Sequence, residues 1–269
     1  LANNLVQAGF DVVTHDVAGP TRNPAGAAFV ESPAAVAERA EAVVLSLPNG
    51  AISAEVAAAL AAAPDRAVTV VIDTSTIGPD AARSIAAALA EAGVGYVDAP
   101  VSGGAAGARA RTLTVMYSGT PDAAAAASAV IEGLSDRRFH VGDAAGLAQA
   151  VKLANNFLSA TALAATSEAV AFATAAGVDL STLLTVLNAS SGSSAASQDK
   201  FVNHVLPGTY ASGFLNTLMA KDVALYTEAV AAVGTPATVA GLTQAIWRGF
   251  ADTEPGVDFT RIYPHIANP

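Results

Sequence analysis

The stretch GLAQAVKLANN, Gly146–Asn156, is where the chain changes character. It opens the longest apolar helical pattern in the sequence, running to about Ala176, and it carries one cation, Lys152, beside two amides, Asn155 and Asn156. Side chains three and four apart share a helix face, so Lys152, Asn155 and Asn156 are expected to project together. A buried ammonium has to be paired, neutralised or put to use. A lysine whose stem merely lies along an apolar surface is the plain structural alternative.

Upstream of this stretch, short apolar runs alternate with helical ones. Strands are expected at 11–15, 42–47, 68–73, 95–99, 112–118 and 137–141, and helices at 1–8, 32–41, 52–63, 78–92 and 121–132. Ser32-Pro33 supplies a cap and first-turn proline, Pro48-Asn49-Gly50 stops the second strand, and residues 17–29 read as a loop. This alternation predicts parallel strands joined by crossover helices. Downstream no strand pattern recurs, and helices are expected at 144–176, 179–190, 194–204, 214–233 and 236–250. The expected architecture is therefore an α/β Rossmann-like dinucleotide-binding domain, 1–143, followed by an all-α domain, 144–269.

Composition narrows the function classes. The chain has 269 residues, 52% hydrophobic and 13% charged, and a formal net charge of −10 with its Lys and Arg scattered. Nucleic acid is an unexpected partner for such a charge distribution. The most apolar window, Phe157–Val178, is interrupted by Ser159, Thr161, Ser167, Glu168 and Thr174, so no membrane span is expected. There is no cysteine, which removes disulfides, thiol nucleophiles and thiolate metal sites. His15, His140, His204 and His265 lack metal-ligand spacing, so no metal is expected. Cytoplasm is the default location.

Four features carry chemistry. Asp16 ends the first expected strand, where an acid would accept from a ribose 2′-hydroxyl; Val17 rather than an arginine follows it, which favours NAD over NADP. Asp16 would equally serve to start a turn. The glycine-rich turn and strand of such a βαβ unit would lie just upstream of Leu1, so the chain reads as a fragment of a normal enzyme, first strand and glycine turn missing. The second feature is DAPVSGG, Asp98–Gly104: glycines let backbone N–H groups approach an anion, and Ser102 adds a donor at the carboxyl end of a strand. The alternative is a tight loop that needs glycine. Third is Lys152 with its amides, a candidate proton donor and acceptor at a reacting carbonyl. The fourth, Lys221-Asp222, lies beside the apolar stripe of Phe214 and Leu218, although adjacent charges are usually a surface couple.

Taken in order, LANNLVQAGFDVVTHD, LSLPNG, VIDTSTIGP, DAPVSGG, GARARTLTVMYSG, VKLANN and FLNTLMAKD resemble the β-hydroxyacid dehydrogenase family over essentially the whole chain. The family includes 3-hydroxyisobutyrate dehydrogenases and tartronate semialdehyde reductases. The resemblance implies NAD(P)-dependent hydride transfer on a small 3-hydroxy acid or its semialdehyde, with NAD, or NADP, as cofactor. It implies Lys152 as general acid/base. Ser102, Gly103, Gly104 and Asn156 would bind substrate, and Asp16, Leu47, Pro48, Thr76, Phe214, Lys221 and Asp222 the cofactor. A homodimer or homotetramer through the helical domain is implied. One departure is Arg111, which stands where the family has glycine. The 6-phosphogluconate dehydrogenases carry His where Asn155 stands, and imine reductases usually lack the lysine. The rival readings are an NADP-dependent semialdehyde reductase and a catalytically silent oligomeric binding module of the same fold.

Overall fold

The computed structural model describes residues 1–267, so the last two residues of the expected helical domain lie outside the described residues. The chain divides into two compact units, Leu1–Lys152 and Leu153–Pro269.

The first unit contains α1 (Ala2–Gln7), β1 (Val12–Thr14), β2 (Ala27–Phe29), α2 (Pro33–Ala37), β3 (Ala42–Leu45), α3 (Gly50–Ala62), β4 (Val70–Asp73) and α4 (Pro79–Glu91). There follow β5 (Gly95–Asp98), β6 (Val101–Ser102), α5 (Gly104–Ala110), β7 (Thr114–Ser118), α6 (Pro121–Leu134), β8 (Arg137–Gly142) and the first turns of α7 (Leu147–Ala175). The helices begin where capping chemistry demands: Ser32, Asn49 and Thr120 accept from the amides of Ala35, Ile52 and Ala123. β3, β4 and β5 are parallel neighbours. All four residues of β4 are buried, as expected of a central strand covered on both faces. Its alternation sends Val71 to a core with Leu60, Ile85 and Leu89, and Val70 and Ile72 to a second core with Val97, Val115 and Ile131.

Three features depart from the sequence expectation. Ala27–Phe29, expected as loop, is a strand paired in parallel with β1, too short and too plain to show a period. Residues 104–110, of which only Gly104 carries an expectation, as part of the DAPVSGG loop, form α5. β7 runs antiparallel to β5 and β6, not parallel. The connection from β5 to β7 holds β6 and α5, and the chain turns back through α5 to lie antiparallel to both strands. β1 and β2 form a sheet of their own, separate from the six strands β3-β4-β5-β7-β6 with β8 on β7. In the doubly wound order the strand between those equivalent to β1 and β3 is central.

The second unit is helical: the rest of α7, α8 (Leu180–Asn188), a π-helix (Ala196–Val205), α9 (Asn216–Val233), α10 (Thr238–Thr253) and α11 (Ile262–Ala267). Where the spacing predicts an α-helix over 194–204 the backbone is wider, and the amide of Leu206 donates five residues back to Phe201 at 2.8 Å. Trp247, Phe250, Phe201 and Leu163 are fully buried, and the Trp247 indole donates to the Ala160 carbonyl at 3.1 Å. By length and composition α7 would suffice to cross a membrane, with a mean hydropathy of 1.3. Here Ala160, Leu163, Ala164 and Val170 are part of the helical core.

Candidate active site

The carboxyl ends of β3, β4 and β5 are where an α/β sheet presents its loops to ligands. The loops after β3 and β4 are fastened together: the Leu47 amide donates to the Ser75 hydroxyl at 2.8 Å, and the Thr74 hydroxyl donates to the Leu45 carbonyl at 2.6 Å. Within them Leu47 and Thr76 stay partly exposed and Pro48 is exposed, whereas Thr74, Ser75 and Ile77 are buried. Asp16 is exposed just past β1, where its carboxylate accepts from the Ala18 amide at 2.8 Å and so closes a turn.

β5 ends in Asp98, which is fully buried, and the chain runs through Pro100 into Ser102, Gly103 and Gly104. Gly103 and Gly104 have φ of 127° and 62°, and a Cβ on Gly104 would meet nothing within 4 Å, so the backbone there is open to a ligand. Asp98 itself points inward. Its carboxylate accepts from the Ser118 hydroxyl at 2.8 Å and from the amides of Gly146 and Gln149, each at 3.0 Å. The Ser118 hydroxyl in turn accepts from the Ala148 amide at 2.9 Å. Three of the free N–H groups at the start of α7 thus end on the strands.

Asp73 stands opposite Asp98 on the neighbouring strand, and both are fully buried. Burial raises the carboxyl pKa of each, and for Asp73 the adjacent Asp98 charge raises it further. Tyr96, whose hydroxyl faces Asp73 at 3.5 Å, is raised as well, by burial first and then by the two carboxylates. A folded-state pKa above the unfolded one means the native chain holds more protons between the two values. Stability then falls as pH rises from about 4 through the folded values. Asp73→Asn keeps the acceptor for the Ser75 amide. In urea titrations from pH 4 to 8 it is expected to flatten that fall and to match or exceed the parent at pH 8; an unchanged slope refutes the assignment.

Lys152 and Asn156, one turn apart on α7, are 6% and 5% exposed, so both are turned away from solvent; Asn155 is exposed. In the helical unit Asn156 donates to the Asp222 carboxylate at 2.6 Å, and Asn155 donates to the Asn156 carbonyl at 3.0 Å. Lys221 makes an ion pair with Asp222 at 3.0 Å, so this couple is not a surface one: Asp222 is 2% exposed. Phe214 packs edge-on against Phe259 at 5.6 Å, at the margin of the helical core.

The chain is similar to known proteins over nearly its whole length. Residues 1–142 match the family described as the NAD binding domain of 6-phosphogluconate dehydrogenase, and residues 146–266 match that described as NAD-binding of NADP-dependent 3-hydroxyisobutyrate dehydrogenase. The mitochondrial 3-hydroxyisobutyrate dehydrogenase of Drosophila melanogaster is 31% identical, over 98% of this chain and 84% of the relative. The NAD-dependent L-serine dehydrogenase of Pseudomonas aeruginosa is 35% identical, over 92% of this chain and 87% of the relative. The chain belongs to the β-hydroxyacid dehydrogenase family. A solved structure of Mycobacterium tuberculosis 3-hydroxyisobutyrate dehydrogenase with L-serine superposes with a TM-score of 0.90 at 31% identity, covering 98% of this chain and 94% of that one. The fold is accordingly a Rossmann-like NAD-binding domain followed by a helical domain. As a member of this family the chain is an NAD(P)-dependent hydroxyacid dehydrogenase, with a nicotinamide cofactor and a small hydroxy acid substrate, rather than a silent binding module.

Sequence reasoning missed three residues of this β-hydroxyacid dehydrogenase. Asp98 reads as the first letter of a substrate loop, Ser118 as a strand residue, and Gln149 is given no role, yet all three are fully buried and join the strand ends to α7. An acid at a strand end followed some 50 residues on by a helix start was the available signal.

Proposed function

We propose that the chain oxidises a small 3-hydroxy acid, or reduces the matching semialdehyde, with Lys152 as the general acid/base. The observation that carries this is a lysine 6% exposed on the second turn of a helix whose first turn is anchored at the end of β5. That same strand end leads into Ser102, Gly103 and Gly104, which would hold the substrate carboxylate. Asn156, one turn beyond Lys152, would orient the hydroxyl. When bound, the cofactor supplies the acceptor for the hydride leaving the hydroxyl-bearing carbon. Neutral Lys152 takes the hydroxyl proton on Nζ in oxidation, and its ammonium returns a proton to the forming alkoxide in reduction. Fixing the carboxylate fixes the reacting carbon, which is where much of the rate comes from.

Leu47, Pro48 and Thr76 would receive the nicotinamide end and Asp16 the ribose, with Phe214, Lys221 and Asp222 as further cofactor contacts. An acid at position 16 followed by Val17 supports NAD over NADP, since a 2′-phosphate would meet a carboxylate and no cation. The working domains are 1–143 for dinucleotide and 144–269 for substrate and subunit contact; the family matches at 1–142 and 146–266 support these limits. A homodimer or homotetramer through the helical domain is supported by Leu158, Phe172 and Leu242, exposed to 65%, 76% and 66%. The reading draws on the cytoplasmic nicotinamide pool. Turnover of 3-hydroxyisobutyrate, glycerate and L-serine is measured with each cofactor; the expected result is a 3-hydroxy acid turned over with NAD at a higher kcat/KM than with NADP. No turnover on any of them, or an NADP preference, refutes the respective part.

A further inference from the structure

The Gln149 side chain is fully buried, and its carboxamide bonds to one loop. Its oxygen accepts from the amides of Ile77 and Gly78, at 3.0 and 3.2 Å, and its nitrogen donates to the Ser75 carbonyl at 3.0 Å. That loop follows β4, holds Thr76, and is joined through the Ser75 hydroxyl to the Leu47 amide of the loop after β3. The main chain of Gln149 is meanwhile held by Asp98 at the end of β5. One residue therefore bonds directly to the loop after β4 and the end of β5, and is linked through Ser75 to the loop after β3. It lies three positions before Lys152, on the turn that sets the axial position and rotation of that side chain.

We propose that Gln149 is a positioning residue for hydride transfer: its carboxamide fastens the loops that receive the cofactor to the helix turn that carries Lys152. A helix anchored only at its backbone caps could shift by a fraction of a turn. An amide satisfied at both ends of the carboxamide by a neighbouring loop allows no such slip, because any displacement leaves buried N–H and C=O groups unpaired. The bond pattern also explains why the residue is an amide: a carboxylate keeps the two acceptor contacts but faces the Ser75 carbonyl without a proton, and an apolar residue of similar length satisfies none of the three. This inference rests on the reading of Lys152 as the proton-transfer group.

The test is a double-mutant cycle with Gln149→Met and Lys152→Ala, read by kcat at saturating cofactor and by the KM for NAD. Displacing a reacting group by about 1 Å costs on the order of 100-fold, so Gln149→Met alone is expected to lower kcat about 10- to 100-fold. In the Lys152→Ala background the same change is expected to lower kcat by no more than about 3-fold, because coupled residues do not add. Gln149→Glu, which keeps both acceptor contacts and guards against a misfolded methionine variant, is expected to fall between parent and Gln149→Met. Equal losses in both backgrounds, or a raised KM with unchanged kcat, overturn the positioning role while leaving Lys152 in place. A Lys152→Ala enzyme with near-parental kcat sinks the Lys152 reading itself, and this inference with it.

Discussion

Replacing Lys152 by alanine is expected to lower kcat by about 100- to 10,000-fold, the range a positioned general acid/base supplies. The affinity for NAD should change little, since the proposed cofactor contacts of the first unit lie on the loops after β1, β3 and β4. Alanine is the best helix former, so α7 keeps its backbone, and its first turn keeps the Asp98 and Ser118 acceptors. The loss is thus one of chemistry rather than fold. Removing a group that acts in the transition state lowers kcat and kcat/KM together, whereas loss of uniform binding would raise KM alone. Steady-state rates of NADH formation, with NAD binding followed by fluorescence titration, separate the two. Near-parental kcat in a correctly folded variant would remove Lys152 from the mechanism.

How far the sequence already contained this site depends on the kind of interaction. β4 and α7 were legible because their determinants are local: a run of buried aliphatic residues between turn signals, and a long 3.6-residue period. The same holds for Gly103 and Gly104, whose positive φ is a backbone property written in the residue type. The direction of β7 was not legible, because its pairing with β5 and β6 is a non-local choice that the strand's own residues do not record, and α5 lacked an apolar stripe to reveal the turn back. Nor was the burial of Asp222 beside Lys221. Two adjacent charges look like a surface couple until Asn156, 66 residues earlier, supplies the hydrogen bond that makes burial tolerable. Gln149 illustrates the general case. Nothing local marks it, because its partners lie more than 70 positions away in the loop after β4.

Asp98→Ala is expected to cost about 2–4 kcal/mol of stability at pH 5, the sum of several buried donors losing their acceptor less the relief of removing a buried acid. The amides of Gly146 and Gln149 and the hydroxyl of Ser118 all end on this carboxylate, and none of them reaches water from where it lies. The pH dependence follows from the direction of the pKa shift. Burial raises the Asp98 carboxyl above its ordinary 3.8, so the parent loses stability as pH rises from that value through the folded one. Alanine has no proton to exchange. The difference between parent and variant should therefore be greatest at the acid end and narrow toward neutrality, which urea titrations at pH 4.5, 6 and 7.5 would resolve as converging midpoints. Midpoints that diverge with rising pH would mean the carboxylate is stabilised by its three donors more than burial penalises it, and the raised pKa would be wrong. The same variant loosens the first turn of α7 without touching Lys152. A kcat that falls together with stability, while NAD affinity holds, would mark the strand end of β5 as the anchor of the catalytic helix; unchanged kcat would confine Asp98 to folding.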